Sequence, residues 1–307
     1  MATNIMRNTD FRSIVEPILN EEFDGVYDQR KDEYLQIFKV KTGIPRDRHE
    51  EPVLFGFGQA PELPEGMPVT YQAGGVLFLK EYIYKRYGLA FALTSTLIED
   101  GDHIRIGSVY SQHLAQSLIE TKENLCANIL NNAFSSSFPG GDGVSLINSS
   151  HPIAVGTFSN QLPTASALSQ TSVEQMLITV RTNGVDNNNK KIHLEPASLV
   201  VSPQNEFQGE VIVKSVLRSG TANNDLNALK SRGYLSKGVA VFTRMTSTTA
   251  WFVHNENVPF GMQVVMRSPL KKTMEGDFET DSWRYKAIER YDVGFTDPRT
   301  LFGTAGM

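Results

Sequence analysis

Between Trp283 and Phe295 the sequence reads WRYKAIERYDVGF. Taken with a period of two, Trp283, Tyr285, Ala287, Tyr291, Val293 and Phe295 fall on one face, and Arg284, Lys286, Arg290 and Asp292 on the other; Ile288 and Glu289 break the alternation. The pattern predicts one half-buried strand of about 43 Å, at roughly 3.3 Å per residue, where a strand of about five or six residues is usual. A strand that long needs a long element to lie against. Over Ser108 to Phe134, Tyr110, Leu114, Leu118, Leu125 and Ile129 recur in steps of four or seven. That spacing predicts a helix of about 40 Å, comparable with the strand, so the two can form one elongated layer.

The rest of the chain divides around this pair. Phe11, Ile14, Val15, Ile18 and Leu19 predict a short amphipathic helix, shortened or kinked by Pro17, followed by a charged arm laid over a surface. Between residues 51 and 93, Pro52, Pro61, Pro64, Pro68 and repeated glycines exclude helix. The alternation Met67, Val69, Tyr71, Ala73 suggests a hairpin-like extended excursion, which is marginal alone and must rest on another surface. Residues 135 to 170 are rich in Ser, Gly, Asn and Pro, an irregular segment of a length that is usually functional. Thr171 with Glu174 suggests a capping box opening a helix along Val173, Met176, Leu177 and Val180. SLVVS, AVFTR, TAWFVH and MQVVMR are strand candidates and EFQGEVIVKSVL a helix, so residues 165 to 264 can form an α/β subdomain. The expected organisation is an arm (1–50), an extended loop (51–93), a long helix with its following loop (94–164), the α/β subdomain (165–264) and return strands (265–307).

Net charge is −5 over 307 residues and only Cys126 is present, which argues against a polycationic nucleic-acid binder and excludes an intrachain disulfide. The first residues lack the apolar run of a signal peptide, and no apolar stretch approaches the length of a membrane span. P-loop, GxGxxG, HExxH, GxSxG and CxxC patterns are all missing, and no histidine has an i+4 partner, so no catalytic, cofactor-binding or metal-ligating set is assigned. His151, beside Ser149 and Ser150, is the one place where a nucleophile and a base stand together, although a His-Pro turn is the simpler reading. GGDGV, 140 to 144, reads as a turn and Cys126 as a buried apolar residue. The cationic residues Lys271, Lys272, Arg284, Lys286 and Arg290 either face nucleic acid or serve as solvated surface or intersubunit pairing, the second being the commoner use.

The order of segments adds a resemblance. DGVSLINSSHPIAVGTFSN, LSQTSVEQM, LVVSP, NNDLNAL, TAWFV and VGFTDPRTLFGTAG follow one another as in the major head subunits of tailed phages, especially Mu-like head subunits. The matching residues are Asp142, Gly143, His151, Pro152, Ser159 and Asn160, then Asn224, Asp225, Leu226 and Asn227, then Ala250, Trp251 and Phe252; Leu146-Ile147 stands where that family usually has Leu-Phe. The resemblance implies an α+β Hong Kong 97-type capsid fold: an N-terminal arm, an extended loop over a neighbour, a peripheral domain with a long spine helix and long strands, and an axial α/β domain. It implies a major capsid protein that self-assembles into an icosahedral shell around double-stranded DNA, with no cofactor. Its partners would be itself, as hexamers and pentamers, portal and scaffolding proteins, a decoration protein and non-specifically held DNA, and no membrane; it would be made in the host cytoplasm and end in the virion. Candidate intersubunit contacts are Phe11, Ile14, Ile18, Phe23 and Tyr27 of the arm and Phe55, Phe57, Met67, Val69 and Tyr71 of the loop. An encapsulin-like shell and a hydrolase using Ser150 and His151 are the alternatives.

Overall fold

The computed structural model describes residues 8–29, 32–43, 46–94, 96–97, 103–218, 225–277, 279–280 and 282–307; side chains of 8–12 are outside the description. Asn224 of the Asn-Asp-Leu-Asn stretch therefore lies outside the described residues, as does the side chain of Phe11.

Helix α1, Asn8–Tyr27, is not the short helix that Pro17 suggested; it runs through the proline for 20 residues. Pro17 is exposed, while Val15, Leu19 and Phe23, spaced by four, form the buried stripe, and this packing outweighs the missing backbone donor. Strand β1, Lys39–Lys41, leads to a two-stranded ribbon of β2, Arg48–Phe55, and β3, Gly75–Ile83. Residues 56 to 74 between them form no strand, so the expected alternation over Met67 to Ala73 is not used. Strand β4, Lys85–Thr94, precedes α2, His103–Asn131, a helix of 29 residues or about 44 Å. The irregular segment that follows contains only the small β5–β6 hairpin, His151–Ile153 and Gly156–Phe158.

Helix α3, Gln170–Asn183, is capped two residues earlier than expected: Ser169 and Ser172, not Thr171 and Glu174, exchange the side-chain to backbone bonds. Then come β7, Pro196–Val201, α4, Glu206–Lys214, the short α5, Ala228–Ser231, β8, Gly238–Val241, and β9, Trp251–Asn255. The long hairpin of β10, Met262–Asp277, and β11, Ser282–Phe295, and the short β12, Leu301–Thr304, complete the order. Among the described residues two four-stranded sheets result, β1-β10-β11-β4 and β12-β9-β7-β8, beside the two-stranded β2-β3 and β5-β6.

The sequence pattern explains how they pack. Alternate residues of β11, among them Tyr285, Ala287 and Tyr291, are buried, and the upper part of the strand meets Leu114, Ala115 and Leu118 of α2 and Val15, Leu19 and Phe23 of α1. In the second sheet, Leu199, Val201, Trp251 and Val253 face α3 and α4. Val200, Ala240 and Phe252, on the opposite face, join Cys126 and Leu130 of α2 and Tyr291 and Phe295 of β11. The expected burial of Cys126 holds.

Candidate assembly surface

The ribbon is fastened at its root by one buried carboxylate. Glu51 of β2 accepts hydrogen bonds from Lys41, from Gln263 and from Thr296 Oγ1 at 2.6 Å, with His49 Nε2 at 3.0 Å. Because the Thr296 proton goes to Glu51, Tyr82 Oη donates to Thr296 Oγ1 at 2.7 Å, and Gln263 Nε2 donates to Tyr82 Oη at 2.7 Å. Burial alone raises the Glu51 pKa, but the bonds from Lys41, Thr296, His49 and Gln263 hold it below the ordinary glutamate value. Two strands that would be marginal alone are thereby fixed to the first sheet.

Beyond this root, every residue from 56 to 74 is exposed. Phe57 (60%), Leu63 (55%), Met67 (61%), Val69 (64%) and Tyr71 (96%) present their apolar side chains to solvent. Phe57, Leu63, Val69 and Tyr71 line one open cleft, and Gln72 Oε1 accepts from Gly58 N at 2.8 Å across its neck. Five large apolar side chains thus lie exposed on one segment, where singly scattered ones are the rule on a protein surface. Phe55, at the ribbon end, is only partly exposed.

The arm residues separate. Ile14 is exposed, Ile18 and Tyr27 are half-buried, and Phe23 is buried within its own chain, which corrects its expected place at an interface. Phe23 is fully buried against α2 and β11 because it continues the stripe begun by Val15 and Leu19. Tyr27 Oη donates to Glu289 Oε1 at 2.7 Å and accepts from Lys122 Nζ at 2.7 Å, and Lys122 pairs with Glu289 Oε2 at 2.7 Å. Lys122 and Glu289 are both buried. The glutamate that interrupted the apolar face of β11 thus joins α1, α2 and β11 in one network; a charge in register with an apolar face signals such a partner.

His151 is also a structural residue. It is fully buried, with Nδ1 2.6 Å from Asp142 Oδ2, Nε2 3.1 Å from Asn160 Oδ1, and its ring stacked on Phe158 at 4.8 Å. Asn160 Oδ1 also accepts from Asn148 N at 2.8 Å, so Nε2 is the donor to it. Both ring nitrogens are engaged, leaving none to deprotonate Ser150, whose backbone N–H donates to Asn148 Oδ1 at 2.9 Å. The pairing required by the hydrolase alternative is therefore not formed. Asn160 Nδ2 donates to the carbonyls of Leu146, Pro298 and Leu301 at 2.7, 3.2 and 2.9 Å, tying the irregular segment to the β12 region. The turn over GGDGV closes with Gly140 N donating to Val144 O at 2.7 Å and Gly143 at φ +81°. Among the described residues no cluster of His, Cys, Asp or Glu is arranged to hold a metal, and no helix is long and apolar enough to cross a membrane.

The cationic residues near the terminal strand differ in their partners. Lys272 donates to Asp24 of α1 at 2.5 Å, Arg284 pairs with Asp277, and Lys286 lies 3.9 Å from Glu275. Lys271 and Arg290 make no ion pair among the described residues.

The profile of the phage capsid protein family matches residues 81–303, well over half of the chain. No curated protein matches the sequence. Solved structures do match in fold. The capsid of cyanophage P-SCSP1u superposes with a TM-score of 0.60 at 12% identity, over 88% of this chain and 86% of that one. A phage-related protein from Bordetella bronchiseptica gives 0.55 at 14%, over 96% and 98%. A virus-like particle from Pyrococcus furiosus gives 0.54 at 12%, over 94% and 98%. The mixed helix and sheet architecture is the Hong Kong 97-type capsid fold. The chain belongs to the phage capsid protein family and is a major capsid protein, a structural component of the virion whose copies form the head shell.

Proposed function

We propose that residues 56 to 74 are the arm by which each subunit holds its neighbour in that shell, with Phe57, Met67, Val69 and Tyr71 covered by an adjacent copy. The observation that carries this reading is the full exposure of the segment on a ribbon whose root is fixed by Glu51. A fixed root lowers the conformational freedom lost on docking, and a closed symmetric lattice repeats each modest contact in every copy. Phe55, Ile14 and Ile18, together with Phe11, contribute to the same kind of contact. In this reading residues 1–50 act as the N-terminal arm, 51–93 as the extended loop, 94–164 and 265–307 as the peripheral domain, and 165–264 as the axial domain of a Mu-like head subunit.

The shell is assembled in the host cytoplasm with scaffolding and portal proteins, is open to a decoration protein, and encloses double-stranded DNA without sequence preference; the protein has no enzymatic role. A net charge of −5 suits a container in which packaged DNA must slide. The test is electron microscopy with light scattering on the protein alone and with its scaffold. Closed shells or rings of five and six subunits that disappear when residues 57 to 71 are replaced by a Gly/Ser linker support the reading; shells that persist with the linker overturn it.

A further inference from the structure

On the solvent face of the first sheet, β4 and β11 carry a short pattern of charge. Arg86 and Arg290 lie directly opposite each other across the two strands, Gly88 lies opposite Ile288, and Ala90 opposite Lys286. Arg86 and Arg290 make no ion pair among the described residues, and like charges placed opposite one another in a sheet repel. The nearby carboxylates are otherwise engaged: Glu275 lies beside Lys286, Asp277 holds Arg284, and Asp292 accepts from Ile83 N at 2.9 Å. Between the cations the surface sinks into a shallow depression of about 320 Å³ lined by Arg86, Gly88, Leu89, Ala90, Lys286 and Ile288. Gly88 creates it: a Cβ there would stand 2.8 Å from Ile288 Cγ1 and 3.0 Å from the Ala287 carbonyl oxygen. The order along β11 is cation, apolar floor, paired cations.

The protruding loop carries the complement. From Gly56 to Gly74 its charged residues are Glu62 and Glu65, with Leu63 and Pro64 between them, and it contains no cation. Neither glutamate makes an ion pair among the described residues, and both are exposed with Leu63. In extended chain Glu62 and Glu65 stand about 10 Å apart, and Lys286 and Arg290 about 13 Å apart, a difference within side-chain reach.

We infer that Glu62-Leu63-Pro64-Glu65 of a second copy of this chain docks on the β4–β11 face, Leu63 in the depression over Ile288 and Gly88, one glutamate at Lys286 and the other between Arg86 and Arg290. The occupant is another copy because the chain's own loop stands clear of this face, with all its residues exposed. The inference rests on the reading that residues 56 to 74 hold a neighbouring subunit, and it names the surface that receives them.

Charge exchange tests it. Reversing the loop (Glu62→Arg with Glu65→Arg) or the face (Arg86→Glu with Arg290→Glu) lowers the yield of shells in sedimentation at least about tenfold, and combining the two sets restores it. Circular dichroism on unassembled subunits identifies any variant that fails to fold. As a check free of charge reversal, Glu65→Cys with Arg86→Cys gives a ladder of linked subunits on non-reducing gels. If the Gly/Ser linker abolishes shells but neither rescue nor ladder appears, the loop docks elsewhere and this inference falls while the broader reading stands. If the face variant forms shells at normal yield but holds less DNA, the arginines serve nucleic acid and the inference is wrong.

Discussion

The chain has two long irregular stretches, residues 56 to 74 and residues 135 to 169, each with four Gly and three Pro, and with opposite fates. The second turns inward: His151 and Asn160 are fully buried, and Asn160 alone supplies three backbone carbonyls with donors. The first turns outward, with its apolar side chains in solvent and one bond at its neck. Irregular backbone becomes part of a core when buried polar side chains satisfy it. Without them it remains on the surface, and its apolar side chains await a partner.

The sharpest way to break this comparison is Asn160→Ala. Three buried acceptors and the His151 contact lose their partner together, so the unassembled subunit should lose about 4 kcal/mol in urea denaturation; a small loss would mean that the inward stretch is not held as described. The same logic extends to the network below β11. Lys122→Met leaves the Glu289 carboxylate buried without its cation and should cost about 3 kcal/mol, with Glu289→Gln in the same chain recovering much of it.

A third effect depends on pH. His254 is buried in β9, and burial, with Lys237 nearby, lowers its pKa from 6.5 to about 4. A depressed histidine pKa means that the unfolded chain takes up the proton first. Stability contributed by the neutral ring is complete above about pH 6.5 and is lost at about 1.4 kcal/mol per unit as the pH falls toward 4. Unfolding of wild type and His254→Gln across that range should show the slope only in the former. The smallest effect on the subunit itself should come from the outward stretch: Phe57→Ser with Val69→Ser and Tyr71→Ser changes its stability by less than about 0.5 kcal/mol. Shell formation should nevertheless be lost. A destabilised monomer would mean that the loop packs on its own chain.

How far the sequence foretold this follows the same division. Regular periodicity was legible: the alternation from Trp283 to Phe295 is β11, and the steps of four and seven from Tyr110 are α2. Misreadings arose where a tertiary contact overrides a local signal. Pro17 suggested a short helix, but the stripe Val15, Leu19, Phe23 buries enough surface to carry it on to Tyr27. That extension places Phe23 in the core and brings the Tyr27 hydroxyl to Glu289. Glu289 appeared as a flaw in a pattern because its partner, Lys122, lies far away in sequence. The role of Glu51 was illegible, since its four partners come from β1, β2, β10 and the residue after β11.

The position of β11 within its sheet also sets the order of events during synthesis. It lies between β10 and β4 and pairs with β4 from Tyr291 against Lys85 to Ser282 against Thr94. On a growing chain β4 thus waits about 200 residues for its partner, one of the longest-range pairings in the fold. Until then the face that pairs Arg86 with Arg290 does not exist, whereas the loop at residues 56 to 74 has long since left the ribosome. If the loop docks as inferred above, a nascent subunit can offer its loop but has no finished face to receive one, which would confine lattice growth to completed molecules.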